Sequence, residues 1–309
     1  MSREGLGWAR DPVEAKAIGA LALGVAGAAV LALLSEAVAR RPHRPAFARE
    51  ADGEARALHG AAAMLSASVL ADSAVEHYRG SYENPGMYTP LVVSALTLAT
   101  GADGGCTGLL PRRLRTGVYA LAAATGAAGV AFHLYNVTRK PGGLNWQNAF
   151  YAAPIGAPAA LSLAGAIGMA ADQPEPRRLG RWLSALTAIG LAGTVGEAGL
   201  LHFRGSFQNP FMWAPVSLPP VAAALMAKAA VEPSGPRRRP LTRAWLGLTA
   251  LLGVAGVGFH AFGISRAMGG WRNWSQNLVD GPPLPAPPSF TALAIAALAA
   301  LRLRDAEHD

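Results

Sequence analysis

Cysteine is almost absent: Cys106 stands alone. That excludes a disulfide framework, a CxxCH haem attachment and a thiolate cluster or zinc site, and leaves His, carboxylate and Met as candidate ligands. Charge is scarce as well. Only 15% of residues are charged and 51% are hydrophobic, against about 25% charged in an average soluble domain, which rules out a water-soluble globule. No Walker loop, dinucleotide glycine fingerprint after a strand, HExxH or GxSxG occurs, so nucleotide chemistry and hydrolysis by those routes are not expected. Acidic residues are the scarcer charged kind, 19 Asp+Glu against 27 Lys+Arg, giving a net +8 and a pI near 10.2. In a soluble chain that excess would suggest nucleic acid. In a chain of mean hydropathy +0.25 it reads as membrane topology, and no nucleic-acid partner is expected.

What the sequence has in quantity is apolar runs. About nine of them approach the roughly 20 residues a helix needs to cross a bilayer. They fall near Ala17–Val38, Leu58–Tyr78, Met87–Thr100, Leu114–Tyr135, Ala149–Ala171, Trp182–Phe203, Phe211–Val231, Ala244–Ile264 and Leu284–Leu303. Pro282, Pro283, Pro285, Pro287 and Pro288 predict a proline-broken start to the last. Alternate loops carry the arginines: Arg40, Arg41, Arg44, Arg49 and Arg56; Arg112, Arg113 and Arg115; Arg177, Arg178 and Arg181; Arg237, Arg238, Arg239 and Arg243; Arg302 and Arg304. The positive-inside rule makes that side cytoplasmic, with the N-terminus outside and the C-terminus inside a bacterial inner membrane. Ala37-Val38-Ala39 resembles a signal-peptidase site, but the long apolar run before it and Arg40-Arg41 after it suit an N-out anchor better.

The sequence repeats itself at an offset of about 125 residues. His77-Tyr78-Arg79-Gly80-Ser81-Tyr82-Glu83-Asn84-Pro85-Gly86-Met87-Tyr88-Thr89-Pro90 returns as His202-Phe203-Arg204-Gly205-Ser206-Phe207-Gln208-Asn209-Pro210-Phe211-Met212-Trp213-Ala214-Pro215. The run from Gly126 to His133 returns from Gly253 to His260, and Asn145-Trp146-Gln147-Asn148 is echoed by Asn273-Trp274-Ser275-Gln276-Asn277. The expected fold is an all-α integral membrane protein: an N-terminal helix and linker over 1–57, a four-helix unit over 58–171, and its duplicate over 172–309. An even number of crossings per unit makes the copies parallel, two four-helix bundles side by side.

Parity then places His77, His133, His202 and His260 at the outer ends of their helices. His43, His59 and His308 fall on the arginine-rich side, where a solvated residue is expected. Two histidines at one depth, on helices two apart in sequence, are what bis-imidazole ligation of haem b requires, so His77 pairs with His133 and His202 with His260. Gly126 and Gly129 share a face with His133, as Gly253 and Gly256 do with His260, and either a neighbouring helix or a planar cofactor can lie on such a strip. Asp72 and Glu197 stand five residues before His77 and His202, roughly 7.5 Å deeper. Carboxylates inside a span suit them to proton handling. Arg79 and Arg204 would bind an anion, a haem propionate or a lipid phosphate. Asn84-Pro85 and Asn209-Pro210 read as helix starts, and Gly80 and Gly205 as turn residues. Met87 and Met212 are core filler or, with His and carboxylate, part of a copper or iron site.

In architecture, two four-helix units with polar groups at the outer face, the chain resembles the quinone-binding membrane subunits of the polysulfide-reductase type, which implies quinone as a partner; no residues carry over from it. The leading expectation is therefore a redox protein in the lipid bilayer, with haem b, or a transition metal in second place, in each unit. It would exchange electrons with quinol or with a periplasmic or membrane redox subunit. One alternative is a transporter or lipid- or solute-binding protein whose histidines, Asn145, Gln147, Asn273, Gln276 and buried acids line a polar cavity between the repeats. Another is a cofactor-free structural subunit.

Overall fold

The computed structural model describes residues 46–173, 179–233 and 239–305, with no side-chain description before residue 53. The expected first span, Ala17–Val38, lies outside the described residues, as do His43 and His308. Ten α-helices follow one another, and no strand occurs among the described residues: α1 Ala46–Arg79, α2 Thr89–Cys106, α3 Arg112–Thr138, α4 Trp146–Phe150, α5 Gly156–Ala171, α6 Gly180–Arg204, α7 Ala214–Val231, α8 Pro240–Arg266, α9 Trp274–Asp280 and α10 Pro288–Asp305. Segments Gly53–Arg79, Arg112–Thr138, Gly180–Arg204, Pro210–Val231 and Pro240–Arg266 are long and apolar enough to cross a membrane, and α5 is a shorter apolar helix.

The expected span Ala149–Ala171 is not continuous. Trp146–Phe150 forms a short helix, the chain breaks over 151–155, and α5 starts at Gly156. Pro154 and Pro158 explain the break, since neither offers an N–H to a helical ladder. The proline-rich stretch before α10 does the same between α9 and α10.

Helices α1, α2, α3 and α5 pack in a square, each against the next, so that α1 and α3 stand at opposite corners. Helices α6, α7, α8 and α10 form a second square with α6 and α8 opposed. Helix α10 lies against α1, and α5 against α6, which joins the two. At the joint Ser68 Oγ meets Ser289 Oγ at 2.9 Å. The core is built of small residues, among them Ala61, Ala164, Ala222, Ala292 and Ala296, interleaved with Leu58, Leu65, Leu183 and Leu293. Buried hydroxyls bond back along their own helices, Thr97 to the Val93 carbonyl and Thr187 to that of Leu183. Such self-satisfaction is what a backbone without access to water demands. By contrast α3 and α8 are each only 17% buried over their apolar windows, with Leu121, Phe132, Leu251 and Val254 turned outward. Apolar surface of that extent belongs against acyl chains.

Candidate functional site

His77 and His202 occupy the last turns of α1 and α6, and the R-G-S-[YF] sequence after each reverses the chain. The left-handed positions fall on Ser81 (φ 53°), Tyr82 (φ 49°), Ser206 (φ 55°) and Phe207 (φ 45°), the positive-φ residues other than glycine among those described. Gly80 and Gly205 lie in this turn, as expected, but neither is its left-handed residue; Gly205 has φ −81°. Their missing side chains have another use, since a Cβ at either would come within 2.9 Å of the Met87 or Met212 methyl. Each methionine fills the notch under its turn. Two consecutive left-handed residues cost about 1–2 kcal/mol apiece. In exchange Tyr82 sets its ring edge-on to His77 (centroids 6.3 Å apart, 77°) and stacks on Tyr88, while Phe207 does the same with His202 (6.1 Å, 74°) and Trp213.

After the turn Asn84 accepts from Gly86 N–H at 2.8 Å and Asn209 from Phe211 N–H at 3.0 Å, each starting a short 3-10 turn. Those turns present the Met87 carbonyl to His77 Nδ1 at 2.6 Å and the Met212 carbonyl to His202 Nδ1 at 2.9 Å. His133 and His260 are held alike: His133 Nδ1 lies 2.7 Å from the Pro154 carbonyl and His260 Nδ1 2.7 Å from that of Pro283. All four accepting carbonyls stand three or four residues before a proline, namely Pro90, Pro215, Pro158 and Pro287. Proline has no N–H, so it cannot claim the carbonyl that a helix would offer it. Because a carbonyl only accepts, each Nδ1 carries the proton and each Nε2 keeps a lone pair. None of the four Nε2 atoms has a hydrogen-bond partner among the described residues.

His77 on α1 and His133 on α3 stand at opposite corners of their bundle, within electrostatic reach of each other. His202 on α6 and His260 on α8 do the same in theirs. Neither pair makes a ring contact. Among the described residues no group of three or more His, Cys, Asp or Glu converges on a metal-sized space.

The glycine strips are filled by protein. A Cβ at Gly126 would strike the Pro158 carbonyl and Ser162, and one at Gly253 the Pro287 carbonyl and Thr291. Across these contacts Ser162 Oγ donates to the Ala123 carbonyl at 3.0 Å and Thr291 Oγ1 to that of Ala250 at 2.8 Å. The neighbouring helix, not a planar cofactor, takes the flat face.

Asp72 and Glu197 do not sit beneath their histidines. Five residues carry a helix about 140° past a whole turn, which aims both acids at the junction between bundles, where each feels Glu76 and Asp72 feels Glu197. The Glu197 carboxylate abuts the start of α5 at the Gly156 N–H. The arginines reach across the same junction. Arg79 pairs with Glu76 at 2.5 Å and donates to the Val279 carbonyl of α9. Arg204 lies over the Phe150 ring of α4, 4.9 Å from its centroid. Asn145 caps α4 by accepting from Asn148 N–H at 2.8 Å, and Asn273 bonds Gln276, so these amides brace loops. Asn148 donates to the Pro141 and Gly143 carbonyls, and Asn277 to those of Met268 and Gly270.

His59 corrects the sequence reading. It is only 3% exposed, because α1 begins a dozen residues earlier and carries it inside the bundle. Its Nδ1 is 2.7 Å from the Tyr119 hydroxyl and its Nε2 3.6 Å from Asp172. Arg115 closes on Asp172 at 2.8 Å, Thr116 donates to it at 3.2 Å, and Asp103 caps the turn at Leu109 and Leu110. The visible signal was two carboxylates, Asp103 and Asp172, each ending an apolar run ahead of an arginine cluster. Comparison with family models, with curated proteins and with solved structures returns no match.

Proposed function

We propose that this membrane protein carries electrons through two b-type haems, one in each four-helix unit (58–171 and 172–309), the units being tandem copies. His77 and His133 would hold one haem, His202 and His260 the other. The observation that carries the reading is the fourfold Nδ1 clamp: a ligating histidine characteristically gives its other ring N–H to a carbonyl, which fixes ring orientation and directs Nε2 to the iron. That each pair is electrostatically coupled yet out of ring contact supports the same reading. Bound haem supplies one-electron chemistry. The chain's own part is to orient four imidazoles, to exclude water with the stacked Tyr82–Tyr88 and Phe207–Trp213 rings, and to offer Asp72 and Glu197 as proton acceptors at the junction. Quinol would be the electron donor and a periplasmic or membrane redox subunit the acceptor, at the outer face of a bacterial inner membrane with the N-terminus outside.

A transition metal such as copper or iron on the same imidazoles is the variant of this reading. Transport is the competing one, favoured by the meeting of Asp72 with Glu197. The absorption spectrum of purified, dithionite-reduced protein decides among them. A sharp α band that falls by about half in His133→Ala and in His260→Ala, and vanishes in the double variant, supports two bis-imidazole sites. A colourless protein retaining metal supports the metal variant; a colourless, metal-free protein overturns the redox reading.

A further inference from the structure

We infer that the outer end of α6 binds one anionic phospholipid, its phosphate on the Arg204 guanidinium. Three observations converge. First, Arg204 is exposed and makes no hydrogen bond or ion pair among the described residues; its contact is the face of Phe150. Its counterpart Arg79 is consumed by Glu76 and the Val279 carbonyl. The difference is written in the sequence, because Leu201 stands in the second copy where Glu76 stands in the first. Glu197 is within electrostatic reach of Arg204 but forms no ion pair with it.

Second, Arg204 borders an open cleft of about 660 Å³ lined also by Phe150, Tyr151, Ser206, Phe207 and Trp213. Aromatic rings around a cation suit the bilayer's interfacial layer, where lipid phosphates lie. Third, the cleft shares Phe203 with a second one of about 440 Å³ that runs along Gly196, Gly199 and Leu200 beneath Trp146. Its wall is almost wholly apolar, and Gly196 lies about 12 Å below Arg204 along the helix. A headgroup site thus opens into a track for an acyl chain. A guanidinium provides the phosphate with a paired, charge-assisted contact, and charge complementarity selects an anionic lipid over a neutral one.

Native mass spectrometry of the full-length protein, released from mixed micelles of phosphatidylglycerol and phosphatidylcholine, tests this independently of any haem. Wild type is expected to retain one phosphatidylglycerol. Arg204→Gln is expected to weaken retention about five-fold, the scale of one basic residue at an anionic surface, while Arg79→Gln leaves it unchanged. Gly196→Leu, whose added side chain meets no protein atom within 4 Å of its Cβ, fills the track and is expected to reduce retention with Arg204 intact. Equal loss in the Arg79 and Arg204 variants, equal retention of the two lipids, or displacement of phosphatidylglycerol by an equimolar prenylquinone would each overturn the assignment.

Discussion

The buried His59–Tyr119 pair makes the sharpest stability prediction. Both side chains are essentially inaccessible, at 3% and 0% exposure, and their 2.7 Å contact is the bond that satisfies His59 Nδ1. Tyr119→Phe removes one hydroxyl while preserving the ring that packs against Gly168. The loss combines a buried hydrogen bond with a nitrogen left without a partner, so about 1–3 kcal/mol of destabilisation is expected. His59→Phe alone strands the hydroxyl and should cost about the same. In the double variant neither polar atom remains, so its cost should fall below the sum of the two single costs by about 1–2 kcal/mol. The assay is equilibrium unfolding of the four proteins in mixed micelles followed by far-ultraviolet circular dichroism. Strict additivity would refute the claim that these two groups satisfy one another, and a neutral Tyr119→Phe would refute the claim that the contact forms at all.

The left-handed turns offer a gain instead of a loss: Ser81→Gly relieves φ 53° and, after the extra freedom of glycine in the unfolded chain, should stabilise by about 0.5–1 kcal/mol in the same assay. A destabilised variant would contradict the strain. Gly126→Leu and Gly253→Leu drive a side chain into the backbone of α5 or α10 and should each cost at least about 3 kcal/mol, seen as loss of the monodisperse species in gel filtration; normal yield would show that the helices do not approach as described. Pro158→Ala supplies an N–H that competes with His133 for the Pro154 carbonyl. Under the haem reading it should shift the reduced spectrum or weaken haem retention several-fold while His260's site is unaffected, and an unchanged protein would detach the prolines from the clamp.

The four histidines stand out in the sequence because a long internal similarity marks them; His77 and His202 lie in the last turns of α1 and α6, whereas α3 and α8 run on five and six residues past His133 and His260. The prolines three or four residues beyond each accepting carbonyl were visible too, but only packing shows which carbonyl they leave free. For the acids, depth along the helix was legible but bearing around it was not: Asp72 and His77 are close along the helix axis and far apart around it. His59 was lost among arginines, since a local count of charge says nothing about which face of α1 turns inward. The glycines of the R-G-S-[YF] turn were assigned to backbone conformation, whereas a methionine methyl needs their space and the left-handed backbone falls on residues that ordinarily avoid it. The break over 151–155 was hidden by an apolar run that continues through it.

Arg79 fastens to the short helix of the opposite bundle, and Arg204 leans on the short helix of the first. A fragment ending near residue 173 would keep Phe150 but lose its guanidinium cover, and the remainder would keep Val279 without the hand that grips it. Two separately expressed halves should therefore recognise each other in the membrane as a lock recognises its own key, by an exchange of clasps that neither can fasten alone.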